Sequence, residues 1–153
     1  MKLLITPEEI AALLPAGNTD AIAIPETTII AAQSRYIRPV IGEELYAAIE
    51  SGSHKEFVGQ LLKPAAALYS YYLAIPSIAF RSGNLGVVRF KSDYYSPADH
   101  ESLTRLRKAV RSEADAAMQI VVEHLESNPL LFPEYDRSKN IRHRTSILGG
   151  VVL

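Results

Sequence analysis

The chain has 153 residues, 48% of them hydrophobic and 22% charged, with 16 Lys plus Arg against 17 Asp plus Glu and no cysteine. That is the composition of one ordinary globular domain, long enough to hold a core without a metal or a disulfide. The missing cysteines exclude thiolate zinc sites, iron–sulfur clusters, Cys nucleophiles and disulfide scaffolds, and give no argument for an oxidising compartment. The chain is therefore read as intracellular. Met1–Thr6 is too short and too quickly followed by Pro7 and Glu8 to be a signal-peptide core, and no apolar run approaches 18 residues, so neither secretion nor a membrane span is expected.

Thr6-Pro7-Glu8-Glu9 sets a capping hydroxyl, a proline at the first helical position and a carboxylate three residues after the cap, which predicts a short helix over Pro7–Leu14. Pro15, Gly17 and Asn18 end it. A second start falls at Pro25-Glu26, with Ile29, Ile30, Gln33, Tyr36 and Ile37 on helical spacing, and this helix is expected to stop before Pro39. Glu43–Ile49 reads as a third helix with Leu45, Tyr46 and Ile49 on one side, closed by Ser51-Gly52-Ser53. Glu56–Ile75 is the most apolar helix, and Pro64 within it predicts a kink or a fresh helix start.

From Arg81 to Pro97 the character changes. Ser82-Gly83-Asn84 and Gly86 are turn residues, whereas Val87, Val88 and Phe90 favour extended backbone, so a hairpin or exposed loop is expected. A long helix then runs from Pro97 to Ser127, with Leu103, Leu106, Val110, Ala114, Ala117, Val121 and Leu125 as its apolar stripe, and Asn128-Pro129 stops it. The expected fold is mainly α: a compact bundle of about four to five helices with one long C-terminal helix and a short β-hairpin or loop around residues 82–96. Residues 1–135 read as a single helical domain and 136–153 as a C-terminal arm, first basic and then apolar.

No motif for catalysis emerges. His54, His100, His124 and His143 are scattered, and His100-Glu101 lacks the second histidine of a helical zinc motif. Gly-x-Ser-x-Gly and Gly-Lys-Ser/Thr are both absent, and Gly52-Ser53-His54 reads as a helix closure. The pairs Glu8-Glu9 and Glu43-Glu44 occupy first helical turns, where they complement the helix dipole. Tyr69, Tyr71 and Tyr72 sit among Leu68, Leu73, Ala74 and Ile75, so they read as core packing with hydroxyls at the rim. No catalytic residue, metal or cofactor is expected. The formal charge is −2 over residues 1–100 and +1 over 101–153, and 137–144 holds four basic residues and no acid. That stretch suits nucleic acid or an acidic protein surface, and equally a solvated tail.

Ile5-Thr6-Pro7-Glu8-Glu9, the stretch Arg35-Tyr36-Ile37-Arg38-Pro39-Val40-Ile41-Gly42-Glu43-Glu44-Leu45-Tyr46, the turn Gly86-Val87-Val88-Arg89, and Phe132-Pro133-Glu134-Tyr135 after the long helix occur in an order that resembles the small helical head-to-tail connector, or adaptor, proteins of tailed phages and prophages. The likeness covers most of residues 5–135 and rests on packing and turn residues. It implies a non-enzymatic subunit that forms a homo-oligomeric ring between portal and tail, lengthening the DNA channel. Its partners would be like subunits, portal and tail proteins and, non-specifically, packaged DNA, in the virion or in the host cytoplasm before assembly. Residues expected at the subunit or partner interface are Leu85, Val87, Val88 and Phe90 of the hairpin, and Arg137, Lys139, Arg142, Arg144, Ile147 and Leu148 of the arm. The alternative is a monomeric interaction module of a prophage or host operon; a small helical enzyme is the third reading.

Overall fold

The computed structural model describes residues 2–14, 24–83, 86–89, 100–143, 147–148 and 151–152. Among them the fold is mainly α. Five helices are formed: α1 (Pro7–Leu13), α2 (residues 26–41), α3 (Glu43–Glu50), α4 (residues 55–79) and α5 (His100–Ser127). Two antiparallel ribbons accompany them, β1 (Phe80–Gly83) with β2 (Gly86–Arg89) and β3 (Ile147–Leu148) with β4 (Val151–Val152). The first pairs Phe80 with Arg89 and Gly83 with Gly86, so the expected hairpin begins two residues earlier than its turn residues indicate.

The start of α1 is the capping box that its sequence encodes. The Thr6 amide donates to Glu9 Oε2 at 3.0 Å and the Glu9 amide donates to Thr6 Oγ1 at 3.3 Å, which satisfies two amides that a helix start leaves unpaired. Glu9 also pairs with Lys63, tying α1 to α4.

Two prolines are accommodated inside helices in the same way. The helix expected to stop before Pro39 instead continues to Ile41, and Pro64, where a kink or a fresh start was expected, stands second in an α-helical segment that resumes at Lys63 within α4. In each case a five-residue π-helical stretch lies just upstream, Gln33–Ile37 in α2 and Val58–Leu62 in α4. The residue before each proline donates five residues back, Arg38 to the Gln33 carbonyl and Lys63 to the Val58 carbonyl. A widened turn moves the carbonyl that a proline ring would otherwise strike, so the chain keeps its helical course. Pro76 also lies inside α4, which ends at Ala79 rather than at Ile75.

Gly42 joins α2 to α3 at φ +86, a conformation that side-chain-bearing residues rarely adopt. It closes α2 by donating to the Arg38 carbonyl and opens α3 by accepting from the Tyr46 amide. Within α3, Leu45, Tyr46 and Ile49 are buried as their spacing requires.

Helix α4 is the hub, making its most extensive contacts with α5 and then with α2 and α1. Its Ala65, Ala66, Ala67 and Ala74 are buried, and such small side chains let the neighbouring helices approach closely. The core gathers Ile10, Ile29, Ile37, Ile41, Leu45, Leu62, Met118 and Leu125 among others. On α5 the buried positions are Val110, Ala114, Met118, Val121, Val122 and Leu125. The expected stripe is thus corrected at three places: Leu103 is only partly buried, Leu106 is 40% exposed, and Met118 is the fully buried residue in the middle of the seam while Ala117 packs beside it half-buried. Residues 100–109 supply no buried position to the core, so only the later part of α5 is clamped.

Candidate functional site: an arginine–tyrosine cleft on α5

Two neighbouring clefts lie along α5, about 470 and 440 Å³ in volume, and both are lined by Arg111 and Asp115. Three elements converge on them. The π-turn of α2 carries Tyr36, α4 carries Tyr69 and Tyr72, and α5 carries Arg107, Arg111 and Asp115. Tyr36 and Tyr69 stack with ring centroids 4.5 Å apart, and Tyr72 meets Tyr36 edge-on at 6.3 Å. The Arg111 guanidinium lies over Tyr36 at 4.5 Å, over Tyr69 at 5.4 Å and over Tyr72 at 5.7 Å, while Arg107 covers Tyr72 at 5.1 Å. Guanidinium groups favour such faces because they are planar, weakly hydrated and attracted by the ring quadrupole.

Asp115 is the hub of the polar network. It accepts from Arg111 Nε at 2.8 Å, from the Tyr69 hydroxyl at 2.7 Å and from Arg142 Nη2 at 2.9 Å. Arg142 Nη2 also donates to the Tyr69 hydroxyl at 2.9 Å. Partial burial would raise the Asp115 proton affinity, but the hydrogen bonds from Arg111 and Tyr69 outweigh it and hold the carboxyl below its ordinary value. Tyr69 moves the other way: burial, then its hydrogen bond to Asp115, raise it well above the usual phenol range. The phenol therefore stays a donor, and the network presents fixed positive charge rather than a group poised to exchange protons.

The basic arm residues reach this network. Segment 136–143, expected as an arm apart from the domain, folds back onto it in two 3₁₀ turns, Arg137–Lys139 and Ile141–His143. Lys139 pairs with Glu44 of α3 at 2.9 Å, Arg137 with Glu126 of α5 at 3.4 Å, and Arg142 with Asp115. Asn140 is fully buried and donates to the Tyr135 hydroxyl at 2.9 Å. Three of the residues expected at a partner interface, Arg137, Lys139 and Arg142, are thus engaged within one chain. Val87, Val88, Ile147 and Leu148 lie on β2 and β3, where backbone pairing sets Val87 opposite Ser82 and Ile147 opposite Val152. Leu85, Phe90 and Arg144 lie outside the described residues.

The histidines do not form a centre. His54 and His124 line a third cleft, about 430 Å³, with Phe57 and Phe132 between them. Phe132 is 4.9 Å from the His54 ring and 5.6 Å from the His124 ring, and His124 stacks on Phe57 at 5.8 Å. His54 Nε2 lies 3.3 Å from Glu134 Oε2, but their orientation makes no hydrogen bond, so both atoms are buried without one. His100 opens α5 and lines neither this cleft nor the arginine–tyrosine clefts. Among the described residues no three His, Asp or Glu side chains are placed to hold a metal ion, and no helix is long and apolar enough to cross a membrane.

Arg107 and Arg111 lie beside the apolar stripe of α5 rather than on it, and Asp115 reads in the sequence only as one of the charged residues between the stripe positions. The signal was present on the adjacent face, where Thr104, Arg107, Lys108, Arg111, Ser112 and Asp115 recur in steps of three and one. What could not be read was their convergence with Tyr36 and Tyr69, which depends on helix packing.

Comparison with known proteins leaves function open. No curated protein and no solved structure matches the chain. Residues 26–145, from the first residue of α2 to just beyond the second 3₁₀ turn, match the model of a family of unknown function, DUF6712. The match takes in the cleft, the Asp115 network and the folded-back segment together, and with more than half of its length covered the chain belongs to the DUF6712 family.

Proposed function

We propose that this chain is a non-enzymatic structural subunit, similar to phage head-to-tail connectors, that assembles with like subunits into a ring and docks portal and tail proteins. Beside the resemblance across residues 5–135, the observation that carries this reading is the turn after α5. Leu130 is 95% exposed and Leu131 63% exposed, while the next residue, Phe132, is buried between His54, Phe57 and His124. Two leucines held out to solvent on a firmly anchored turn lose little conformational freedom when a partner covers them, which favours their use as a contact.

The monomeric interaction module is the second reading, and segment 136–143 favours it. That segment already satisfies Lys139, Arg142 and Asn140 on its own domain, so it needs no second copy to be ordered.

Light-scattering mass across a concentration series separates the two readings, using the intact chain, a Leu130→Ser/Leu131→Ser variant and a chain ending at His143. The truncation is placed there because removing 136–143 would also break contacts inside the domain. A large closed oligomer that the leucine substitutions dissociate is the expected result. A monomer at every concentration overturns self-assembly and leaves the single-partner module.

A further inference from the structure

The arginine–tyrosine clefts hold more positive charge than the fold consumes. Among the described residues five cations, Arg35, Arg107, Lys108, Arg111 and Arg142, line them against one carboxylate, that of Asp115. That is a local net charge of +4 in a chain whose total is −1, leaving −5 for the remainder. The Asp115 charge is already engaged by Arg111 and Arg142. Arg35 and Lys108 are exposed and enter no ion pair with described residues, and Arg107 Nε is buried without a hydrogen-bond partner.

We infer that this face of α5, together with Arg35 of α2, binds the phosphodiester backbone of nucleic acid without reading its sequence. The donor set is that of phosphate contacts: guanidinium and ammonium groups with the Thr104 and Ser112 hydroxyls beside them. From Thr104 to Asp115 the face is about 16 Å long, or about five base-pair steps of roughly 3.4 Å. Base stacking is not the mode, since the Tyr36 ring is already engaged by Tyr69 and Arg111, and Tyr72 by Arg107. An acidic protein would meet the same guanidinium groups, but among the described residues aliphatic side chains, Val40 and Ile141, line only the cleft beside Arg35, and the cleft formed by Thr104, Arg107 and Lys108 has none to serve as the apolar centre of a protein interface. The inference does not depend on ring assembly.

Fluorescence anisotropy of labelled duplexes of two unrelated sequences, titrated with the full chain over a salt series, tests it. Both duplexes should bind alike, with log K falling linearly as log salt rises, and the double variant Arg35→Gln/Lys108→Gln should reduce that slope by about 2. Neither side chain supports the Asp115 network, so the variant should melt as the parent does. Arg105→Gln, which removes a cation paired with Glu101 and lining neither cleft, should leave the slope nearly unchanged. Absence of salt-dependent binding, or a slope indifferent to the double substitution, overturns the proposal. So does displacement of the duplex by polyglutamate as effectively as by unlabelled duplex, which would assign the cleft to an acidic protein.

Discussion

Helix α5 lines two clusters built from similar materials, aromatic rings with charged or titratable groups between them, and the two are finished differently. Around Asp115 the shared carboxylate is fully answered: two arginines and a phenol converge on it and the rings are covered by guanidinium planes, although Arg107 Nε at the edge of the cluster is buried without a partner. Around His124 the rings pack well, yet His54 Nε2 and Glu134 Oε2 face each other at 3.3 Å without a hydrogen bond. A polar network repays its desolvation only when its members are satisfied. The first cluster should therefore contribute to stability through its polar atoms, and the second through its rings.

The largest expected effect is on the first cluster. Asp115→Ala leaves Arg111, Arg142 and the buried Tyr69 hydroxyl without their shared acceptor, and should cost about 2–3 kcal/mol at neutral pH. For a domain of this size that lowers the melting temperature by roughly 5–10 °C. Glu134→Ala, which removes an acceptor that receives no hydrogen bond, should cost less than about 1 kcal/mol. Equal losses in a calorimetric comparison would erase the distinction between the clusters.

Acid unfolding sharpens the same contrast. The Asp115 carboxyl is held below its ordinary value of 3.8 in the folded chain, so in acid the unfolded state binds the proton more readily. Its contribution is fully present above that ordinary value and is lost as pH falls through the depressed folded one. The melting-temperature difference between the parent and Asp115→Asn should accordingly be constant near neutral pH and shrink as pH falls below about 4. Glu9, also held low by Lys63 and the Thr6 amide, leaves a residual acid dependence in both proteins. A gap that stays constant over that range would show that the carboxylate charge is not what the arginines require.

How far these features were legible in the sequence depends on how local their causes are. The capping box at Thr6, the buried side of α3 and the stop at Asn128-Pro129 are encoded within a few residues, and each could be placed from spacing alone. Pro39 misled because a proline signals a break only if the preceding turn keeps its normal width, and the turn before it is widened, whereas the irregularity that Pro64 announces is present as the π-helical stretch just before it. The stripe on α5 slipped at Leu103 and Leu106 because helical spacing marks a face but not how far the core reaches along it, and the buried positions begin only at Val110. The basic tail was legible as charge but not as a contact. Lys139 and Glu44 are 95 residues apart, and nothing in either neighbourhood announces the other.

The smallest expected effect falls at His54, where two contributions oppose. His54 caps α4 in the left-handed region at φ 56, its carbonyl accepting from the Val58 amide at 2.9 Å, and a residue with a Cβ pays about 1–2 kcal/mol to stand there. Glycine removes that cost, but it gives the unfolded chain about 0.5–1 kcal/mol more freedom to lose and gives up the ring contact with Phe132. The terms nearly cancel, so His54→Gly should change stability by less than about 1 kcal/mol, whereas His54→Ala keeps the backbone cost, loses the ring and should be the less stable variant. The difference between the two variants measures the backbone term alone. If alanine proves the more stable, the freedom that glycine gives the unfolded chain outweighs the left-handed cost at this cap, and the backbone at φ 56 carries little strain.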